Sequence, residues 1–205
     1  YWWYGMKEAV QQVCNICATC KQVEATFHAQ HPTLHPLPIM GLFYRWGVDL
    51  AGPFPVTHVP RANKYIMVAI EHCSKFMVLV PLRSKTPMDT SYAFKHHVLG
   101  PYGGCAEVIT DQGSEFMGEF HDLLVNSLID HRTTSPGHPQ ADGLAERCVH
   151  TVKKALTKMV SLYGDIAQWD NLLPWVALGY NCSTQMSTRL SPHDLLFARR
   201  PYIPS

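Results

Sequence analysis

Three carboxylates stand out in this chain by their surroundings. Asp49 lies inside "WGVDL", a strand-like run whose neighbours are mostly apolar. Asp111 closes the apolar run of "VITDQGSEF", where the chain turns towards a helix. Glu146 opens the polar face of a strongly amphipathic helix, directly after a loop rich in Gly and Pro. Taken singly, each has an ordinary structural explanation. Asp and Gly punctuate turns, so Asp111 can simply end a strand or cap a helix. Glu146 in a first turn favours the helix dipole. Asp49 is the hardest to dismiss, because an isolated buried carboxylate is costly without a charged partner. Taken together, two strand carboxylates and one helix carboxylate make an oxygen-rich, negative site. Such a site suits Mg²⁺ or Mn²⁺. Two such ions roughly 3.5–4 Å apart activate an attacking oxygen and stabilise a leaving one at phosphorus.

For that chemistry, the intervening elements must bring the three side chains to one place. "FYRWGVDLAG", "KYIMVAI" and "KFMVLVPL" read as strands, the last two forming an antiparallel hairpin around "EHCS" (71–74). "TPMDTSYAFKHHVLG" (86–100) reads as a helix stopped at Gly100, with Pro101 beyond it. "AEVIT" (106–110) is a short buried strand, and in "SEFMGEFHDLLVNSL" the residues Phe116, Phe120, Leu123, Leu124 and Leu128 share one helical face. "DHRTT" (130–134) is one more strand, and "SPGHPQADG" (135–143) a mobile loop. The helix over 143–162 puts Leu144, Cys148, Val152, Ala155 and Met159 on one side. Glu146, Arg147, His150, Lys153, Lys154 and Lys158 fall on the other. Helices over 168–182 and 191–198 complete the domain. The order β-β-β-α-β-α-β-α-α, followed by the short last helix, predicts an α/β fold, a mixed sheet with helices on its faces.

Composition sets the bounds. A chain of 205 residues with 46% apolar and 16% charged residues builds one good-sized core and is not disordered. A formal charge of +1 neither indicates nor excludes nucleic acid, so any basic patch is local. No apolar run approaches the ~20 residues that span a bilayer, and no membrane partner is expected. Seven scattered cysteines read as reduced thiols of an intracellular protein. Residues 4–23 read as a helix carrying Met6, Val10, Val13 and Cys17, and "HAQHPTLHPLPIM" (28–40) as a linker.

"WGVDLAGP", "VITDQGSEF" and "HPQADGLAER" resemble the three signature blocks of a retroviral-type integrase catalytic core. "YIMVAIEHCSKFMVLVPL", the opening "YWWYGM" and the closing "SPHDLLFARRP" narrow the resemblance to the integrases of gypsy-type LTR retrotransposons. The match runs over nearly the whole chain with the motifs in the family's order. It implies a ribonuclease H-like fold, with a five-stranded mixed sheet flanked by helices. It implies trimming of an element's 3′ ends and joining of those ends to target DNA, assisted by two Mg²⁺ (or Mn²⁺) ions. By motif, the catalytic and metal-binding triad is Asp49, Asp111 and Glu146. Between Asp111 and Glu146 lie 34 residues, one fewer than the family's commonest pattern, and we place the missing one in "NSLIDHRTT".

The resemblance also assigns the surroundings. The loop 135–143, with His138 and Gln140, is either an ordinary surface loop or, beside the metals, one whose glycines let it fold over a DNA end. Arg147, His150, Lys153, Lys154 and Lys158 form either a solvated face or, beside a metal-binding Glu, a phosphate-tracking stripe. Cys17 and Cys20 match the cysteine half of the family's His-His-Cys-Cys zinc module, Cys14 lying just before them. The module's two His precede the point where this sequence starts, and His28, His31 and His35 follow in the wrong order. Four-ligand Zn²⁺ binding is therefore expected only of a longer chain. The expected organisation is a truncated zinc-binding module (1–24), a linker (25–40), the catalytic core (41–200) and the start of a C-terminal extension (201–205). Double-stranded DNA and further copies of the chain are the expected partners, and the nucleus the expected location. The competing readings are a catalytically silent, element-derived DNA-binding or assembly protein and another ribonuclease H-like nuclease.

Overall fold

Along the central strands, successive side chains are buried against opposite layers, and this alternation decides the architecture. The computed structural model describes residues 2–16, 38, 40–134, 139–163 and 165–202. It divides into two units, Tyr1–His35 and Pro36–Ser205. Within the first, the helix α1 (Met6–Ile16) is described; the rest of the helix expected over 4–23, with Cys17 and Cys20, lies outside the described residues.

The second unit is built on a five-stranded mixed sheet in the order β3-β2-β1-β4-β5. Its strands are β1 (Arg45–Ala51), β2 (Tyr65–Glu71), β3 (Met77–Leu82), β4 (Glu107–Thr110) and β5 (Asp130–Thr133). β1, β2 and β3 pair antiparallel, whereas β4 runs parallel to both β1 and β5. The five expected strands are all present. On one face, Trp46, Val48, Met67, Ala69 and Val108 pack with Phe94, Phe116, Phe120 and Leu124. On the other, Ala51, Ile66, Val68 and Ile70 pack with Ala145, Cys148, Val149, Val152 and Trp169. β2 serves both layers, which is why its sequence is a continuous apolar run rather than an alternating one.

The helices are α2 (Pro87–Phe94), α3 (Glu119–Asn126), α4 (Pro139–Tyr163), α5 (Trp169–Cys182) and α6 (Pro192–Phe197). Three differ from expectation. α2 does not stop at Gly100. It continues through a π-helical turn (Lys95–Leu99) and a further turn (Gly100–Tyr102), ending at Gly103 with φ +86°. The wider turn takes the Gly100 N–H to Lys95 O, and Pro101, which has no N–H to place, sits within the last turn. The single helix expected over "SEFMGEFHDLLVNSL" is split into a 3₁₀ turn (Ser114–Phe116) and α3 by Gly118 at φ +56°. Phe116, Phe120 and Leu124 are buried as expected, but Leu128 has φ +57° beyond the helix and is 93% exposed. Finally, α4 begins at Pro139, so the backbone of 139–143 is helix rather than loop. Proline at a first helical position is preorganised for that start.

At the β2–β3 turn, the His72 ring lies over β1. A Cβ on Gly47 would come within 2.9 Å of His72 Nε2, so only glycine leaves it room. Burial, with Lys75 and Arg45 adding to it, holds His72 down at about 4. The sign follows. An unfolded histidine binds a proton below about pH 6.5 while the folded one stays neutral. The contribution to stability is therefore complete above pH 6.5 and is lost as pH falls towards 4. Urea unfolding at pH 7.5 and pH 5 is expected to show an acid loss on the order of 2–3 kcal/mol. In His72→Gln that loss should shrink; an identical pH dependence in the variant would exclude His72 as its source.

Candidate active site

β1 and β4 place the first two carboxylates side by side. In this parallel pair Arg45 lies opposite Glu107 and Gly47 opposite Ile109. Continuing the same step puts Asp49 level with Asp111, the residue immediately after β4. Adjacent strands lie about 4.8 Å apart. Residues two apart on a strand share a face. Asp49 therefore faces the same side as Ala51, the side covered by α4. Asp49 is half-buried, and its Oδ1 accepts the Leu50 N–H at 2.7 Å.

Asp111 is also half-buried and closes a tight Asx-type turn: its Oδ1 accepts the Gly113 N–H at 2.9 Å. A Cβ on Gly113 would meet that Oδ1 at 2.9 Å and Glu115 Cδ at 2.8 Å, so glycine keeps the space around the carboxylate open. Asp111 Oδ2 makes no hydrogen bond among the described residues. The turn uses one of the two oxygens.

A chain of hydrogen bonds supports Asp111 from behind, and nothing in the sequence pattern announced it. The buried Thr110 hydroxyl donates to Asp111 O at 2.8 Å. It then accepts from His131 Nε2 on β5 at 2.9 Å. With Nε2 carrying the proton, His131 Nδ1 is the acceptor for His121 Nδ1 on α3, at 3.0 Å. Burial, and then His121, lower the His131 pKa and keep the ring neutral, as this arrangement requires. The residues come from three separate elements, so only the folded chain brings them together.

Glu146 sits on the exposed side of α4, next to Ala145, which is buried against the sheet. It thus lies on the helix that covers the face of Asp49. It is not drawn in with the two aspartates, however: among the described residues, no three His, Cys, Asp or Glu side chains are grouped to hold a metal ion. Asp49 and Asp111 supply hard oxygen donors that fit Mg²⁺ or Mn²⁺ by chemistry.

Arg147, His150, Lys153, Lys154 and Lys158 are all exposed along α4. For Lys153→Glu/Lys154→Glu, duplex DNA binding is expected to weaken and the slope of log affinity against log salt to flatten by about 2. Salt titration by fluorescence anisotropy checks this, and an unaltered slope removes the stripe from the DNA contact. Gln140 lies in the first turn of α4, with its side chain outside the described residues. His138, Cys17 and Cys20 lie outside them altogether. Among the described residues no helix is long and apolar enough to cross a membrane.

Comparison with known proteins identifies the kind of domain this is similar to. Residues 45–139 match the family model described as the integrase core domain. The chain is 30% identical over 198 residues to the Pro-Pol polyprotein of Simian foamy virus type 3 (strain LK3), covering 96% of this chain and 17% of that protein. It is 26% identical over 203 residues to the Transposon Tf2-3 polyprotein of Schizosaccharomyces pombe, covering 97% of this chain and 15% of that one. The chain thus spans about a sixth of these relatives. Among solved structures, the simian T-cell lymphotropic virus intasome in complex with PP2A regulatory subunit B56 gamma superposes with a TM-score of 0.71. That match has 20% identity over 97% of this chain and 69% of that one. The HTLV-2 integrase catalytic core domain in complex with magnesium gives 0.60, at 18% identity over 75% of this chain and 96% of that one. The fold is that of retroviral integrase catalytic cores, the ribonuclease H-like fold.

Proposed function

We propose, from the match of residues 45–139 to the integrase core domain model, that this chain is the catalytic part of a gypsy-type LTR retrotransposon integrase. It trims the 3′ ends of element DNA and joins them to target DNA. The observation that carries the reading is the parallel register of β1 and β4, which, continued past Ile109, brings Asp111, the residue after β4, level with Asp49 under the helix that bears Glu146. Such a pair is what an oxygen-preferring divalent ion needs from a protein that leaves its remaining positions to water and phosphate.

The three carboxylates would hold Mg²⁺ or Mn²⁺. When bound, two such ions activate the attacking oxygen and stabilise the departing one in an in-line displacement at phosphorus. The chain's own part is positional. The Asx turn and the Thr110–His131–His121 chain fix Asp111, strand pairing fixes Asp49, and α4 carries Glu146 together with the basic stripe that tracks the DNA backbone. Glu146 would supply the third carboxylate, and His138 and Gln140 are assigned to the DNA contact. The attacking oxygen is water in trimming and a DNA 3′-hydroxyl in joining.

The chain acts on double-stranded DNA as a multimer, in the nucleus. In a longer chain Cys17 and Cys20 supply half of a zinc site. The competing reading, a catalytically silent DNA-binding derivative, draws on one observation: Glu146 is not gathered with the two aspartates. Strand transfer of a labelled donor end with Mg²⁺ or Mn²⁺, comparing wild type with Asp111→Asn, separates the two. Joining by wild type that the variant loses supports the enzyme; joining that survives the substitution overturns the mechanism.

A further inference from the structure

We propose that the chain has a second nucleic-acid contact, a pocket for backbone phosphate formed by Arg189, Arg199 and Arg200 at the end of the sheet remote from Asp49. The pocket has a volume of about 630 Å³ and is lined by these three residues with Cys182, Thr184 and Asp194. The inference rests on DNA being the partner of this chain.

The charge argument is comparative. The chain has eight arginines. Arg45, Arg61 and Arg132 are held by carboxylates, and Arg83 donates to Pro60 O. The three that line the pocket are exposed, and their guanidinium groups have no ion-pair or hydrogen-bond partner among the described residues. Asp194 is the one lining group that opposes an anion. Its Oδ2 is committed to Ser191 in the capping box of α6, with Ser191 Oγ at 2.8 Å, and its Oδ1 is buried without a partner. Neither oxygen neutralises an arginine. Three planar guanidinium forks against one carboxylate favour a group with several anionic oxygens in one place, and phosphate is that group in DNA.

The pocket is also preformed. The loop before α6 is closed by Gln185 N–H to Leu190 O at 3.0 Å and Arg189 N–H to Gln185 O at 2.8 Å. Beyond α6, Arg199 O accepts from His193 Nδ1 at 3.1 Å. Two of the three arginines are thus anchored through their backbones, which lowers the ordering cost of binding. Phe197 packs edge-on against Phe76, and Asn181 brackets both backbone groups of Met77 at the start of β3. That end of the sheet adjoins Arg45, where His72 N–H meets Arg45 O, and Asp49 lies further along β1. A phosphate held here belongs to a stretch of DNA beyond the one at the carboxylates.

The test is salt-dependent binding of a labelled DNA duplex to the full chain, comparing wild type with Arg189→Ala/Arg199→Ala/Arg200→Ala. We expect affinity to fall about tenfold or more and the salt slope to flatten by about 2–3. Replacing all three by Lys should keep the slope while losing part of the affinity, because the charge stays and the fork goes. Arg199→Glu, at an exposed position outside the helices, gives the same reading should the triple variant fail to fold. Wild-type affinity and slope in these variants overturn the pocket. So does displacement of an acidic peptide, but not of the duplex, by the same substitutions, which would assign the pocket to a protein partner. No duplex binding by wild type would instead sink the DNA reading of the whole chain.

Discussion

Asp111→Asn is expected to abolish DNA joining, by a factor on the order of 10³ or more, while leaving the fold and duplex binding in place. The separation follows from how the two oxygens of Asp111 are used. Oδ1 closes the turn onto the Gly113 N–H, and an asparagine oxygen accepts that bond equally well. Oδ2 has no partner among the described residues, and the substitution puts an NH₂ group there. An NH₂ group is a donor, so it cannot ligate a cation. The variant therefore keeps the turn and loses the charge. Gel-resolved strand transfer with Mg²⁺ and with Mn²⁺ gives the rate, and thermal unfolding gives the control. Joining within tenfold of wild type would mean that Asp111 is a turn residue and nothing more.

Breaking the Arg45–Glu107 pair is expected to produce the largest loss of stability. These residues sit opposite each other at the start of β1 and β4, 4% and 2% exposed, with Nε–Oε1 at 2.6 Å. Arg132 approaches the other oxygen of Glu107 at 3.5 Å. Removing one partner of a buried pair strands the other charge, at a cost of about 3–5 kcal/mol. Glu107→Ala should accordingly lower the melting temperature by roughly 6–20 °C for a chain of this size. The double variant Arg45→Met/Glu107→Leu should recover most of that loss, because apolar replacement of both partners removes the desolvation cost with the attraction. A single variant that melts within a degree or two of wild type would show that water reaches the pair.

What was legible from the chain alone follows from local physics. The strands were legible because their apolar runs end at turn residues, and Asp49 and Asp111 because carboxylates interrupt such runs. Where prediction failed, the cause was a change of backbone path within one hydrophobic pattern. Phe116, Phe120, Leu123, Leu124 and Leu128 fit one helical face, yet Gly118 breaks the path before α3 and Leu128 turns out into solvent. Gly100 reads as a stop, yet a π turn absorbs it together with Pro101. The Thr110–His131–His121 chain and the arginine pocket were not legible at all. Each gathers residues from separate segments, and neither histidines nor arginines leave a periodic trace. Glu146 lies between these cases: its helix and exposed face were readable, whereas the described structure does not gather it with the two aspartates.

The level register of β1 and β4 has a consequence for how such a chain can change over generations. The distance in sequence between the two aspartates is immaterial, since the hairpin and α2 between them can lengthen or shorten at their exposed turns. What cannot drift is phase. One residue inserted between Arg45 and Asp49, or between Glu107 and Asp111, would rotate a carboxylate to the opposite side of the sheet, among Trp46, Val48 and Val108. Two inserted residues would restore the side but carry that carboxylate about 6.6 Å past its neighbour. Short deletions and insertions are thus tolerated in the turns of this domain and forbidden in two stretches of five residues each, Arg45–Asp49 and Glu107–Asp111.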